Sequence, residues 1–196
     1  MLIRTGYLYH IKDEFFDLVN DENLMTNHER GEKRPTYFTI KDKDILWFIP
    51  ISSKVEKYQK IIDKKVKKYG RCDTIIIRKI LGRKAAILFQ NAFPTLEKYI
   101  DHEHLTNNGK PVKVIPRLKE EILNNFKYLI KLKNNGVNLF FTDIDRIKKQ
   151  MIQELYNCFD NYAYFKIKEA EDNLKNGGKL YSEEEVNRII DEITVK

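Results

Sequence analysis

The sequence predicts an α+β fold in a single domain, with a β-rich core over about residues 1–116 and a helical part over about 117–196. Short runs rich in β-branched and aromatic residues, bounded by turn residues, fill the first part. In the second part, apolar residues recur at three- and four-residue spacing, the pattern of amphipathic helices. The chain has 196 residues, 42% of them hydrophobic, which is enough for a substantial core in one domain.

The β-rich part is expected to contain a first strand, two hairpins and a last short strand. Gly6 is a candidate bulge in the first strand, which places Tyr7 and Tyr9 on one face. Residues 20–33 are polar without a sustained period, and we expect a flexible loop there. The elements are expected as a strand at 3–11, a short helix at 12–19, a hairpin of 34–40 with 45–51, a hairpin of 74–80 with 84–90, a helical turn after Pro94 and a strand at 112–115.

A lysine-rich amphipathic helix is predicted between the two hairpins, ending at Gly70. Its expected buried face comprises Val55, Tyr58, Ile62, Val66 and Tyr69. Three more helices are expected in the second part. They span 117–133, then about 142–174 behind a cap at Thr142–Asp145, then a last segment that begins at a capping box at Ser182 and ends near 193.

The net charge of +7 is unevenly distributed along the chain. Residues 54–69 hold seven lysines against two acidic residues, whereas residues 169–196 hold eight acidic residues against four basic ones. Crowded like charges on one helix repel each other and favour a polyanionic partner, although many lysine-rich helix faces are simply solvated. No apolar run approaches about eighteen residues and no signal peptide is recognisable, so we expect a cytoplasmic protein without a membrane partner.

A candidate phosphate site lies where the apolar run Ile45–Ile51 stops at Ser52, Ser53 and Lys54. At a strand-to-helix junction, the Ser53 hydroxyl and the first helical N–H groups can converge on an anion with Lys54 close by. Alternatively, one serine only caps the helix, which serine does well without any function. Because neighbouring side chains of a strand point to opposite faces, a simple Ser–Lys hydrolase dyad is disfavoured.

The other polar residues give no strong catalytic or metal motif. The histidines, including the pair His102 and His104, are not connected by motif to the serines, and their spacing does not predict a metal site. Asp143 and Asp145 are better explained as a helix cap than as a magnesium site. Trp47, within an apolar strand, is expected in the core.

Three segments in this order along the chain resemble the ToxN/AbiQ toxins of type III toxin-antitoxin systems, in particular their CptN branch. They are Arg34–Phe38, Phe48–Lys54 and Ile87–Pro94, and the resemblance covers about residues 1–155. It implies a compact antiparallel β core, a barrel related to the MazF-type ribonucleases, wrapped by helices. It also implies a metal-independent endoribonuclease without a cofactor, of the kind associated with abortive infection and phage defence.

By the same resemblance, Ser53 matches the catalytic serine, Ser52 the hydroxyl residue before it and Lys54 the lysine after it. Lys33 or Arg34 corresponds to a basic residue of the family's site. The family's N-terminal active-site tyrosine has no clear counterpart, and Tyr7 and Tyr9 are the candidates for it. The partners implied are a cellular RNA substrate and a folded repeat RNA antitoxin, which the toxin cuts from a precursor and binds in a closed toxin–RNA assembly.

The expected activity is therefore cleavage of single-stranded RNA by attack of a ribose 2′-OH on its own 3′ phosphate. Basic side chains would bind RNA phosphates and aromatic rings would stack on bases. The candidates for RNA binding are Tyr7, Tyr9, Tyr37, Lys57, Lys60, Lys64, Lys67, Lys68, Arg78, Arg83 and Lys84. The alternatives are a non-catalytic RNA-binding protein that uses the same basic surface and a Ser–Lys hydrolase of small esters.

Overall fold

The structure, a computed structural model, describes residues 2–24, 28–29, 32–33, 37–175, 182 and 184–185. By its contacts the chain divides into two compact units, residues 1–153 and 154–196. The first unit contains an antiparallel sheet with helices, and the second begins within a long helix. The α+β prediction is confirmed.

The described elements follow one another in nine strands and four α-helices, with single 3₁₀ turns at Phe89–Asn91 and Glu97–Tyr99. The strands are β1 (Leu8–Ile11), β2 (His28–Glu29), β3 (Glu32–Lys33), β4 (Tyr37–Asp42), β5 (Ile45–Ser52), β6 (Ile75–Ile80), β7 (Arg83–Leu88), β8 (Phe93–Thr95) and β9 (Ile100–Glu103). The helices are α1 (Asp13–Val19), α2 (Val55–Tyr69), α3 (Pro116–Asn134) and α4 (Ile144–Lys175).

Seven strands form one sheet in the order β6-β7-β5-β4-β1-β9, with β8 also paired to β5. All pairings are antiparallel, and β5 is central because β4, β7 and β8 each pair with part of it. Tyr9 on β1 pairs with Tyr37 on β4, which pairs with Pro50 on β5. The C-terminal ends of β1 and β5 therefore lie at the same end of the sheet.

The predicted hairpins are present, and the backbone of the Leu81–Gly82 turn explains how the second hairpin, β6–β7, closes. Both residues have positive φ, 49° and 79°, which is the backbone of a two-residue turn that matches the twist of paired strands. Gly82 adopts this conformation without strain, since it has no Cβ.

Other expectations for the β part need correction. The expected loop at 20–33 contains the short pair β2–β3, and its residues 25–27 and 30–31 lie outside the described part. The expected strand at 112–115 is reduced to a single bridge between Lys113 and Tyr7, whereas β9, which the sequence analysis did not predict, pairs along β1. Its only sequence signal is the short run Tyr99–Ile100, too brief to stand out.

Both faces of the central sheet are buried. On one face Phe48 and Phe93 stack on each other, and the Tyr9 ring lies nearly perpendicular to that of Phe48. On the opposite face, the Trp47 ring packs against Phe126 of α3 at 5.2 Å between ring centroids. Trp47 thus lies in the core, as predicted, and β5 is packed from both sides at Trp47 and Phe48.

Helix α2 covers the β6–β7 end of the sheet with its first three turns. Tyr58 packs with Ile75, Ala86 and Leu88, and Ile61 and Ile62 join this cluster. The expected buried face is wrong at its end, because Val66 and Tyr69 are 44% and 64% exposed. The sheet core ends where Lys65 contacts Thr74 and Gln90, so the last helical turn extends beyond it.

In the second unit, a capping box is present at Ser182. The Ser182 N–H donates to the Glu185 carboxylate, and the Glu185 N–H donates to the Ser182 hydroxyl, at 2.8 and 3.3 Å. No helix in the described part of the chain has the length and apolarity needed to span a membrane.

Candidate functional site

The chain turns sharply at the end of β5, where the predicted phosphate site lies. Ser52 is the last residue of the strand, pairs with Ala86 and is buried. Its hydroxyl accepts the Lys54 N–H at 3.2 Å. The Ser53 carbonyl accepts the Val55 N–H at 2.8 Å, so the backbone folds back on itself before α2 begins.

This turn leaves the Ser53 side chain at the surface. Ser53 and Lys54 are both exposed. Within the described residues, no side-chain hydrogen bond caps α2, whose N-cap residue is Lys54, so the alternative in which a serine caps this helix is wrong. Glu56 and Lys57 lie in the first helical turn, where N–H groups have no intrahelical acceptor and can bind an anion.

The basic residues predicted to bind RNA differ in availability. Exposed side chains are present at Lys57, Lys60, Lys64, Lys67, Lys68, Arg83 and Lys84. In contrast, Arg78 is exposed but engaged, because its guanidinium donates to both carboxylate oxygens of Glu121, with Nε at 2.9 Å from Oε2. Arg78 is therefore largely neutralised by its partner and contributes less to an anion-binding surface than the sequence suggests.

The tyrosines predicted to stack on RNA bases differ in their exposure to solvent. Tyr9 is fully buried and its hydroxyl accepts the Arg4 N–H at 3.0 Å, so its ring cannot stack on a base; this corrects the sequence prediction. Burial raises the pKa of Tyr9, so its hydroxyl stays protonated. Tyr7 is half-buried beneath the Arg4 guanidinium, 3.8 Å from the ring centroid.

Three predicted residues cannot be placed at the site. Arg34 and the side chains of Lys33 and Tyr37 lie outside the described residues. The backbone of Tyr37, three residues after Arg34 in the sequence, pairs with Pro50 near the end of β5.

A histidine cluster at the β1–β9 pair was missed by the sequence analysis. His10 Nε2 lies 3.1 Å from His104 Nδ1, and the His10 ring stacks on His102 at 4.3 Å between centroids. The pKa of His104 is lowered, mainly by burial and to a smaller extent by the nearby His102. The His102–Glu103–His104 spacing, which places both rings on one face of a strand, was the available signal.

The Ser53 turn and the exposed lysines can bind anions, and the histidine cluster can exchange protons. Among the residues that the structure describes, no group of three or more His, Cys, Asp or Glu side chains is arranged to hold a metal ion. Cys72 is a free, half-buried thiol, and the Cys158 side chain lies outside the described part.

The fold and the turn define a class of protein: an α+β protein whose central antiparallel strand is followed by an exposed serine and lysine and then by a basic helix. Comparison with solved structures finds this fold in AbiQ, a lactococcal anti-phage endoribonuclease of the type III toxin-antitoxin system. The TM-score is 0.58 at 14% sequence identity, over 79% of this chain and 99% of the AbiQ chain. No family model and no curated protein matches the sequence.

Proposed function

We propose that this chain is the toxin of a type III toxin-antitoxin system, a metal-independent endoribonuclease that cleaves single-stranded RNA. The observation that carries the proposal is the fold it has in common with AbiQ, over nearly the whole AbiQ chain. The exposed Ser53 hydroxyl at the end of a rigid central strand, next to the open N–H groups of a lysine-rich helix, supports it.

In the proposed reaction, the ribose 2′ oxygen attacks the adjacent phosphorus, and the bond from phosphorus to the 5′ oxygen breaks. The 2′ hydroxyl loses its proton and the departing 5′ oxygen gains one, leaving a 2′,3′-cyclic phosphate and a 5′-OH. Since the nucleophile belongs to the RNA, the protein has to position the phosphate and stabilise charge on its oxygens. The Ser53 hydroxyl, the N–H groups of Glu56 and Lys57 and the Lys54 side chain are suited to this, with Lys33 or Arg34 as further cations.

Ser52 has a different role in this proposal. Its hydroxyl is buried and accepts the Lys54 N–H, so it is a positioning residue that fixes the turn carrying Ser53 and Lys54. A buried hydroxyl that already holds the backbone is poorly placed to meet a phosphate.

RNA backbone contacts are proposed along the exposed lysines of α2 and at Arg83 and Lys84 in the β6–β7 turn. Lys57, Lys60, Lys64 and Lys67 follow one another at three- and four-residue spacing, so they form a stripe along one side of the helix. A folded repeat RNA antitoxin that covers this stripe would block the Ser53 turn. We propose inhibition by such occlusion, in a closed toxin–RNA assembly.

The test is incubation of the purified protein with single-stranded RNA in EDTA. We expect cleavage that leaves cyclic-phosphate ends, and a loss of at least about 100-fold in Ser53→Ala, the scale of losing one donor to a developing oxyanion. Ser182→Ala, an exposed serine in the second unit, is the matched control and should cleave like the wild type. Stoichiometric RNA binding without cleavage would instead establish a non-catalytic RNA-binding protein.

A further inference from the structure

We propose that the surface at the C-terminal end of α2 binds unpaired RNA bases by stacking. We call it the aromatic–basic surface, formed by Lys65, Lys68, Tyr69, Arg71, Tyr128 and Phe141. The inference rests on the proposed function in taking RNA as the partner. It adds a base-binding region that is distinct from the Ser53 turn and from the lysine stripe.

The aromatic residues of this surface are exposed although they are large and apolar. Tyr69 is 64%, Phe141 52% and Tyr128 37% exposed. The apolar period of α2 predicts a buried Tyr69, yet the helix runs past the edge of the core. Large exposed rings gathered on one side of a protein mark an interaction site more often than single exposed apolar residues do.

Each ring is accompanied by a cation. The Lys68 ammonium lies 4.9 Å from the Tyr69 ring centroid, the Arg71 guanidinium 5.3 Å from that of Tyr128, and the Lys65 ammonium 5.8 Å from that of Phe141. A ring with a neighbouring cation can stack on a base while the cation meets the phosphate of the same strand.

The rings are connected through the backbone and through hydrogen bonds. The Phe141 N–H donates to the Gln90 carbonyl at 2.7 Å, and Lys65 donates to the Gln90 side chain at 2.9 Å, which places Phe141 beside α2. Tyr69 lies one helical turn beyond Lys65, on the same side. Arg71 then follows Tyr69 in the chain and donates to the Tyr128 hydroxyl on α3.

The distance from the Ser53 turn sets the size of the RNA that would reach this surface. Helix α2 has 15 residues, so it is about 22 Å long. A stacked strand advances about 3.4 Å per nucleotide, and a phosphate at Ser53 would therefore be about six nucleotides from Tyr69. The lysine stripe follows the same helix from the Ser53 end and ends at Lys67, and Lys68 then belongs to the aromatic–basic surface.

Charge favours a nucleic acid over a protein with an apolar face. The surface holds three cations, and within the described part of the chain Asp73 binds one of them, 2.6 Å from Arg71 Nε. An anionic partner with flat rings satisfies both features at once, whereas an acidic protein segment satisfies the charge without the rings.

The test measures binding with RNA that cannot be cleaved, so its outcome is independent of the cleavage experiment. A labelled 2′-O-methyl oligouridine of 12 nucleotides, about twice the expected span, lacks the attacking hydroxyl. We expect Tyr69→Ala and Phe141→Ala each to raise its Kd at least about fivefold, the lower end for base–aromatic stacking. Tyr69→Phe should bind like the wild type, and Tyr156→Ala, which removes an exposed tyrosine from the second unit, is the matched control.

An abasic strand of the same length separates stacking from charge. The losses in the alanine variants should disappear with this strand, because it offers phosphates without bases. Equal losses on both strands, unchanged binding in the alanine variants, or full binding by Tyr69→Leu would each overturn the proposal. Competition by a polyglutamate peptide that depends on Tyr69 would point to an acidic protein segment instead, and would also overturn it.

Discussion

Replacing Ser52 by alanine should destabilise the protein, whereas the same change at Ser53 should not. Ser52 is buried and its hydroxyl accepts the Lys54 N–H at 3.2 Å, so the substitution removes one hydrogen bond and leaves that N–H without its acceptor. Such a loss costs about 1 kcal/mol. In a chain of 196 residues this lowers the Tm by about 2–4 °C. Ser53 is exposed, and its alanine variant should stay within about 0.5 kcal/mol of the wild type.

Urea unfolding followed by tryptophan fluorescence measures this difference directly. The chain has one tryptophan, Trp47, which is 6% exposed within the same strand that ends at Ser52. Each variant loses one hydroxyl group, at adjacent positions, so each serves as the control for the other.

The cleavage assay completes the comparison. We expect Ser53→Ala to lose cleavage with its stability intact, and Ser52→Ala to lose stability with a smaller loss of cleavage. Equal destabilisation by both substitutions would refute the structure of this turn. An intact Ser53→Ala activity would refute the assignment of Ser53 to the phosphate.

Three other predictions concern charged groups near the sheet. Folding lowers the pKa of His104, so as the pH falls below about 6.5 the unfolded chain binds a proton more readily than the folded protein does. The stability is therefore full above that pH and decreases below it, by at most about 1.4 kcal/mol per pH unit. In His104→Gln, the urea midpoint should depend less on pH across this range. Lys65→Met should cost about 1–2 kcal/mol in urea unfolding, because the Lys65 ammonium makes two hydrogen bonds, while the exposed Lys64→Met should change stability by less than about 0.5 kcal/mol. Glu121→Gln should release Arg78 and tighten RNA binding in filter-binding assays, while the free energy of unfolding changes by less than about 1 kcal/mol. Unchanged or weaker RNA binding would show that Arg78 is no part of the RNA surface.

Local features of this fold follow from short stretches of sequence. The apolar period of α3 and the cap residues before α4 are set by interactions within a few residues, and the structure has both helices. The same holds for the tight turn at Leu81–Gly82 and for the abrupt end of the apolar strand β5. For these elements, neighbouring residues contain nearly all of the relevant physical information.

The expectations that failed each depended on distant parts of the chain. Whether Tyr9 faces solvent or core depends on packing against the Phe48 ring, which comes from another strand. The exposed Tyr69 shows the same limit, since a helical period states which residues share a side of the helix and not how far the underlying sheet extends. Arg78 looked available because Glu121, its partner, is 43 residues away.

By itself, the sequence determined the α+β class, most strands and helices, and a turn of serine and lysine at the end of an apolar strand. Only the tertiary structure decided which serine holds the backbone and which one is exposed, because that depends on the pairing of Ser52 with Ala86 and on the bend after it. It also brought His10 next to His104, 94 residues away, and left the rings at the end of α2 in solvent. Register and packing are set by the whole chain at once, so no local pattern contains them.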